Sequence, residues 1–404
     1  MRTKLFLAIL ASFAMVGCVK EEIGNKESNP VKKIGFESPL LYDNVKETKA
    51  PIPGEIADNV YPMSEKFIIY AAQHTGDFVA WPEDDTNLPV GSTDDGLCPF
   101  NGAVLERIQT FDAWVPTYDG NGVTKYYYWP LGKQLTFSAV SPAEMPRTSV
   151  SYGPQGLDIT GFTVEEDATE QIDVMLSQRL TNQTADNMVS SAVEYSGVQL
   201  YFQHALSSIH FSISKAAMEH DVQLLEITLK NVYGSGDFSE NIENETVIYE
   251  VGNNVDPKWT VTGNNQSIYN SFSGEIDFPV QPQFVTEIVK ELENQQPAGT
   301  QTSQHSSPLL IVPQEISDDA ELYVKYKVND TEQEETYKLK GLRTVSTGGI
   351  ENSIQKDEVI NEWKVGYKYT YRLHYSAETA TSNIIMFGPN VTDWTQVQVI
   401  QLNL

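Results

Sequence analysis

The chain has only two cysteines, Cys18 and Cys98. Once Cys18 is committed to the modification argued below, no intramolecular disulfide can form, so stability has to come from packed cores. A chain of 404 residues with 40% hydrophobic content suffices for two cores of ordinary size. Basic residues are also scarce: 27 Lys and Arg stand against 55 Asp and Glu, a formal net charge of −28. Such a surface repels phosphate backbones and anionic lipids, which argues against nucleic acid as a partner. An apolar run interrupted only by Ser12 extends from Leu5 to Val16, too short to span a bilayer as a stable helix.

Catalytic constellations are missing as well. The sequence contains no G-x-S-x-G elbow, no H-E-x-x-H pair and no Walker or dinucleotide glycine loop. The histidines His74, His204, His210, His220, His305 and His374 are scattered, with no cysteine or carboxylate partner apparent for His204 and His210, and read as structural. Glu83-Asp84-Asp85 lacks the spacing of a calcium loop and reads as a solvated turn. A glycosidase carboxylate pair has no diagnostic spacing, so an enzyme is left without support from any motif, and no metal or cofactor is expected.

What is present begins with a signal. Arg2 and Lys4 precede the apolar run, and Met15-Val16-Gly17-Cys18 looks like a lipobox with an unusual Met at its first position. Residues 1–17 read as a lipoprotein signal peptide and Cys18 as the acylated residue, which anchors the chain to a membrane without spanning it. The following Val19-Lys20-Glu21-Glu22 resembles the Lys-acidic-acidic signal that sends Bacteroidota lipoproteins to the outer face of the outer membrane.

Residues 18–49 read as a leader. Ile34, Phe36 and Leu40 suit a strand with one buried face, and the polar stretch after them ends in Lys49 before Ala-Pro-Ile-Pro-Gly. One cut after Lys49, or after Lys46, would separate strand and anchor from everything downstream. Short apolar runs of strand length then recur: Phe67–Ala72, Tyr126–Pro130, Leu135–Val140, Val198–Ile213, Val222–Leu229, Leu309–Val312, Leu322–Val328 and Tyr367–Leu373. Helical periodicity is almost absent, Ser214 to Val222 being the best short candidate, and the chain reads as all-β. A polar lull at Asp186–Tyr195 places a boundary near Ser196, giving domains over 50–196 and 197–404. Asn294–Pro308 and Thr347–Lys356 read as long polar loops.

Near the C-terminus, Val397 and Val399 share one face of a strand while Ile400, Leu402 and Leu404 share the other phase, so either a bulge intervenes or both faces are buried. The aromatic cluster Tyr126-Tyr127-Tyr128-Trp129 reads as core filling, whereas Trp81 and Trp114, in loop-like settings, are the candidates for stacking on a sugar.

Taken in order, these segments resemble the fimbrillin family (FimA/Mfa-like) of Bacteroidales type V pilins. The resemblance rests on the lipobox, Phe67-Ile-Ile-Tyr-Ala71, Tyr128-Trp-Pro130 with Leu135–Pro142, Asp173-Val-Met-Leu-Ser177, Phe202-Gln-His-Ala-Leu206 with Ile209-His-Phe211, Leu310-Ile-Val-Pro-Gln314 and Trp363–Tyr369. It implies two tandem transthyretin-like β-sandwich domains and maturation by a trypsin-like protease that removes the anchored leader with its first strand. It further implies that a strand from the next subunit, here Gln396–Leu404, fills the vacated groove, building a head-to-tail fimbria that supports adhesion. Its partners are then other pilin subunits, the outer membrane before maturation, the maturation protease, and a host or bacterial surface glycan or protein. One departure stands out. Family members of known processing are cut after Arg, and this chain has no arginine between Arg2 and Arg107. The competing reading is therefore an outer-membrane-anchored glycan-binding lipoprotein, or a tip or anchor adhesin that keeps its leader.

Overall fold

A computed structural model describes residues 33–41, 61–62, 64–76, 100–108, 113–116, 127–146, 148–153, 156–185, 195–216, 221–240, 258–295, 305–343, 359–376 and 384–393. All lie in one compact unit that begins at Lys32. The fold is all-β, with a single helix among the described residues, Val285–Gln295.

The largest sheet explains why its strands read as plain apolar runs. Phe67–His74 pairs on one side with Asn101–Ile108 and on the other with Gln134–Ser141, both antiparallel. Its alternate residues Phe67, Ile69 and Ala71 enter one core, while Tyr70 and Ala72 enter a second. Gln134–Ser141 divides in the same way, with Leu135, Phe137 and Ala139 in the first core and Val140 in the second. A sheet covered on both faces has no polar face to alternate with.

The first core holds aromatic residues drawn from positions 36 to 202. The second is larger and is enclosed by three further sheets. In one, Ser207–Lys215 runs parallel to Tyr367–Tyr375, which pairs with Ile384–Asp393. In another, Val222–Val232 lies between Ser267–Asp277 and Glu321–Val328. There Glu321–Val328 turns into Thr331–Lys338 through Asn329 and Asp330, whose φ values of 46° and 68° give the left-handed pair that a two-residue hairpin requires. The third sheet orders Lys258–Thr262, Ser235–Ser239, Gly156–Thr163 and Ser149–Gly153, so strands from both sides of position 196 share it. Position 196 itself falls inside the strand Tyr195–Val198.

The helical expectation is corrected. Ser214 and Lys215 complete a strand paired with His374 and Tyr375 and Val222 opens the next strand, so both ends of the expected helix are in strands, while 217–220 lie outside the described residues. The helix lies instead at Val285–Gln295, where Val285, Ile288, Val289 and Leu292 carry the i, i+3, i+4, i+7 spacing and pack on the second core. It also occupies the start of the stretch expected as a loop from Asn294, whereas 347–356 lies outside the described residues.

Candidate functional site

The leader segment is built into the first sheet as its seam. Lys33–Phe36 runs parallel to Tyr195–Val198 on one side. On the other it meets Tyr127, Tyr128 and Trp114 in antiparallel register. Leu40–Leu41 continues parallel to Tyr201 and Phe202. Tyr195–Val198 sits at one end of the sheet order and Leu40–Leu41, paired with Tyr201–His204, at the other, and because Tyr195–Val198 and Tyr201–His204 are consecutive strands in the chain, the sheet returns on itself through the leader. Between the two strand pieces, the Glu37 and Leu40 amides donate to the Val198 and Leu200 carbonyls at 3.0 Å each, and the Gln199 side-chain amide donates to the Ser38 carbonyl.

Ile34 and Phe36 point into the first core as expected, with Phe36 at zero exposure. The Phe36 ring meets Phe100 and Phe137 edge-on, with centroids 5.7 and 5.5 Å apart. Leu40 departs from expectation: it is 43% exposed, and Leu41 takes the buried place. The register explains the change. Three residues separate Phe36 from Leu40 while two separate their partners Val198 and Tyr201, so the leader carries one extra residue and its parity switches. Burying Ile34, Phe36 and Leu41 contributes about 5–9 kcal/mol at roughly 1.5–3 kcal/mol each.

Beyond the leader the described chain resumes at Tyr61, which sequence reasoning missed. Tyr61 is fully buried, stacks on Phe202, meets Trp114 and Phe67, and shares a 2.7 Å hydrogen bond with the Ser141 hydroxyl. Burial pushes its phenol well above the ordinary tyrosine range. Lys46 and Lys49 lie between these two anchored points, outside the described residues, as do Cys18, Trp81 and the segment from Gln396 to Leu404 with Val397, Val399, Ile400, Leu402 and Leu404.

Trp114 is corrected as a sugar contact. It sits in the strand Ala113–Pro116 with no exposed surface, against Tyr61 and Phe67. A loop reading failed because the strand is short and ends at Pro116, while both of its faces are buried. Trp114→Phe is expected to lower stability by roughly 1–2 kcal/mol through lost packing, read by urea denaturation, and to leave any polysaccharide binding unchanged. In the neighbouring cluster Tyr127 and Trp129 are buried and Tyr128 is exposed.

His204 has a partner that the sequence hid. Its Nδ1 lies 3.0 Å from the buried Asp173 carboxylate, brought there because Met175 pairs with His204 across two strands. His74 bonds Thr136 and the Gly76 carbonyl, His210 bonds Ser208, and His374 bonds Ser214. His220 and the His305 side chain lie outside the described residues. Among the described residues, no group of three His, Cys, Asp or Glu side chains is placed to hold a metal. The leader is held by an apolar core and by backbone ladders to its neighbours, the contacts by which one strand recognises others.

Three solved structures illustrate the similarity to known proteins. A fimbrial protein from Bacteroides vulgatus is 16% identical over 90% of this chain and 99% of its own, with a TM-score of 0.48. A fimbrilin from Porphyromonas gingivalis is 10% identical over 92% and 94%, with a TM-score of 0.35. The tip fimbrial protein Mfa3 of the same organism, with a C-terminal truncation, is 9% identical over 82% and 94%, with a TM-score of 0.33. No curated protein matches. A model of a protein family described as fimbrillin-like matches residues 107–394, most of the chain. The chain belongs to the fimbrillin-like family.

Proposed function

We propose that this fimbrial subunit assembles by exchanging its leader strand for a strand of the next subunit after proteolysis. As a fimbrillin-like protein the chain is a structural subunit of cell-surface fimbriae acting in adhesion, in association with other fimbrial subunits. In the proposed route the precursor is acylated on Cys18 and held on the outer membrane. A protease then cuts after Lys49, or Lys46, and the released leader leaves its groove to Gln396–Leu404 of a neighbour.

The observation that supports this reading most is the placement of the leader. Its inward side chains fill the first core, it is hydrogen-bonded along 195–202, and the chain is anchored again at Tyr61. A cut between these points frees one strand and leaves the remaining strands pinned. The vacated edge, with its apolar pockets, would then seek another strand. Because donor segment and groove are different parts of the chain, the contact is heterologous and propagates.

Lysine as the cleaved residue follows from the arginine-free leader. If no protease acts there, the leader stays in place and the subunit caps a fibre or remains at its base. The test is to express residues 19–404 without lipid, treat them briefly with a Lys-specific protease, and run unheated gels beside negative-stain microscopy. Cleavage at Lys49 followed by a detergent-resistant ladder, abolished by deleting Gln396–Leu404, is the expected result. Cleavage that leaves a stable monomer would overturn the reading.

A further inference from the structure

The leader does not alternate regularly, and this irregularity defines a spacing that any replacement strand has to satisfy. Ile34, Gly35, Phe36, Pro39 and Leu41 are buried, Glu37 and Ser38 are half-buried, and Leu40 is exposed. Gly35 has no side chain, so the buried side chains step by two, three and two residues, with the three-residue step where the ladder slips by one. A strictly alternating strand laid in the same place would turn its second half out of the core.

The segment proposed to enter the groove has two apolar phases, and its sequence leaves open which residues point inward. Val397, Val399, Leu402 and Leu404 step by two, three and two residues, as the leader does. Ile400, Leu402 and Leu404 form the competing set, with strict alternation. Resting on the strand-exchange reading above, we infer that the incoming strand buries Val397, Val399, Leu402 and Leu404 in the four places held by Ile34, Phe36, Pro39 and Leu41, and turns Ile400 outward. The spacing is the same from either end, so the assignment holds for both directions of insertion. In either direction Ile400 takes one of the half-buried places of Glu37 and Ser38, and of Gln398 and Asn403 one takes the exposed place of Leu40 and the other the place of Gly35, where the leader has no side chain. The two phases of the C-terminal segment are then one face with a built-in step, shaped to a groove that carries the same step.

Three variants separate the alternatives in the cleavage and gel assay. Ile400→Gln is expected to form the ladder as the unaltered protein does. Val399→Gln is expected to lose it. Deleting Ile400 makes Val397, Val399, Leu402 and Leu404 alternate strictly, and this improvement in simple amphipathicity is expected to abolish assembly. To keep folding of the variants out of the result, the same changes are made in synthetic peptides of Gln396–Leu404 and titrated against cleaved protein whose own segment is deleted. Val399→Gln and the deletion should weaken binding about tenfold or more, and Ile400→Gln should leave it unchanged. A ladder that survives deletion of Ile400, or is lost with Ile400→Gln, would overturn this register while leaving strand exchange intact. If the unaltered chain forms no ladder and its peptide does not bind, strand exchange fails and the register fails with it.

Discussion

Phe36→Ala is expected to lower the stability of the uncleaved protein by about 3–5 kcal/mol, the usual cost of truncating a buried phenylalanine. The ring has no exposed surface and is held edge-on by Phe100 and Phe137, whose own rings meet edge-on at 5.9 Å. Phe137 is fixed in the strand Gln134–Ser141 and the Phe100 carbonyl accepts the Ala71 amide, so neither neighbour can follow the missing ring without breaking backbone hydrogen bonds, and the cavity stays open. Urea denaturation of the full-length protein measures the loss. The same substitution should also speed displacement of the leader after cleavage at Lys49, because only Ile34, Pro39 and Leu41 would then remain as its buried side chains. A change below about 1 kcal/mol would show that the leader is a surface strand with little hold on the core.

The second large effect lies at the join between the sheets. Arg179 and Glu240 form an ion pair in which both side chains are only 6% exposed. The second carboxylate oxygen of Glu240 accepts the Leu157 amide at 2.8 Å. The pair therefore ties the turn after Met175–Ser177 to two strands of the third sheet around the second core. Arg179→Ala leaves the Glu240 charge buried and uncompensated, and is expected to cost about 3–5 kcal/mol in urea denaturation. Arg179→Met with Glu240→Leu removes both charges and should recover much of that loss, short of the unpartnered Leu157 amide at roughly 1–3 kcal/mol. If the single and double variants are equally destabilised, the cost comes from shape and not from charge.

The sequence carried the strands better than it carried their faces. Phe67–Ala72 and Leu135–Val140 are legible as strands because they are short, apolar and flanked by turn residues, and both formed. Nothing in them shows that the strands lie between two cores, since a strand buried on both faces has no polar parity to read. Leu40 and Leu41 are adjacent leucines, and only the slip against 195–202 decides which one is buried. The helix Val285–Gln295 did carry a signal in its four apolar positions, but at 11 residues it is short enough to be taken for loop. Asp173 and His204 stand 31 residues apart and meet only through the pairing of Met175 with His204, a long-range register that residue spacing does not encode. Trp114 misled for a similar reason, as its burial comes from Tyr61 and Phe67, two segments distant in the chain.

The account stands on the leader being a separable strand whose place another strand can take. The direct measurement uses a subunit that begins at Ala50 and lacks Gln396–Leu404, titrated with a synthetic peptide of Lys33–Leu41 and followed by hydrogen exchange. The account predicts saturable binding, a rise in thermal midpoint, and new amide protection concentrated at 195–202 and 113–116, the segments that pair with the leader. A shortened subunit that is already as stable and as protected at those positions as the full-length chain, and that ignores the peptide, would contradict it.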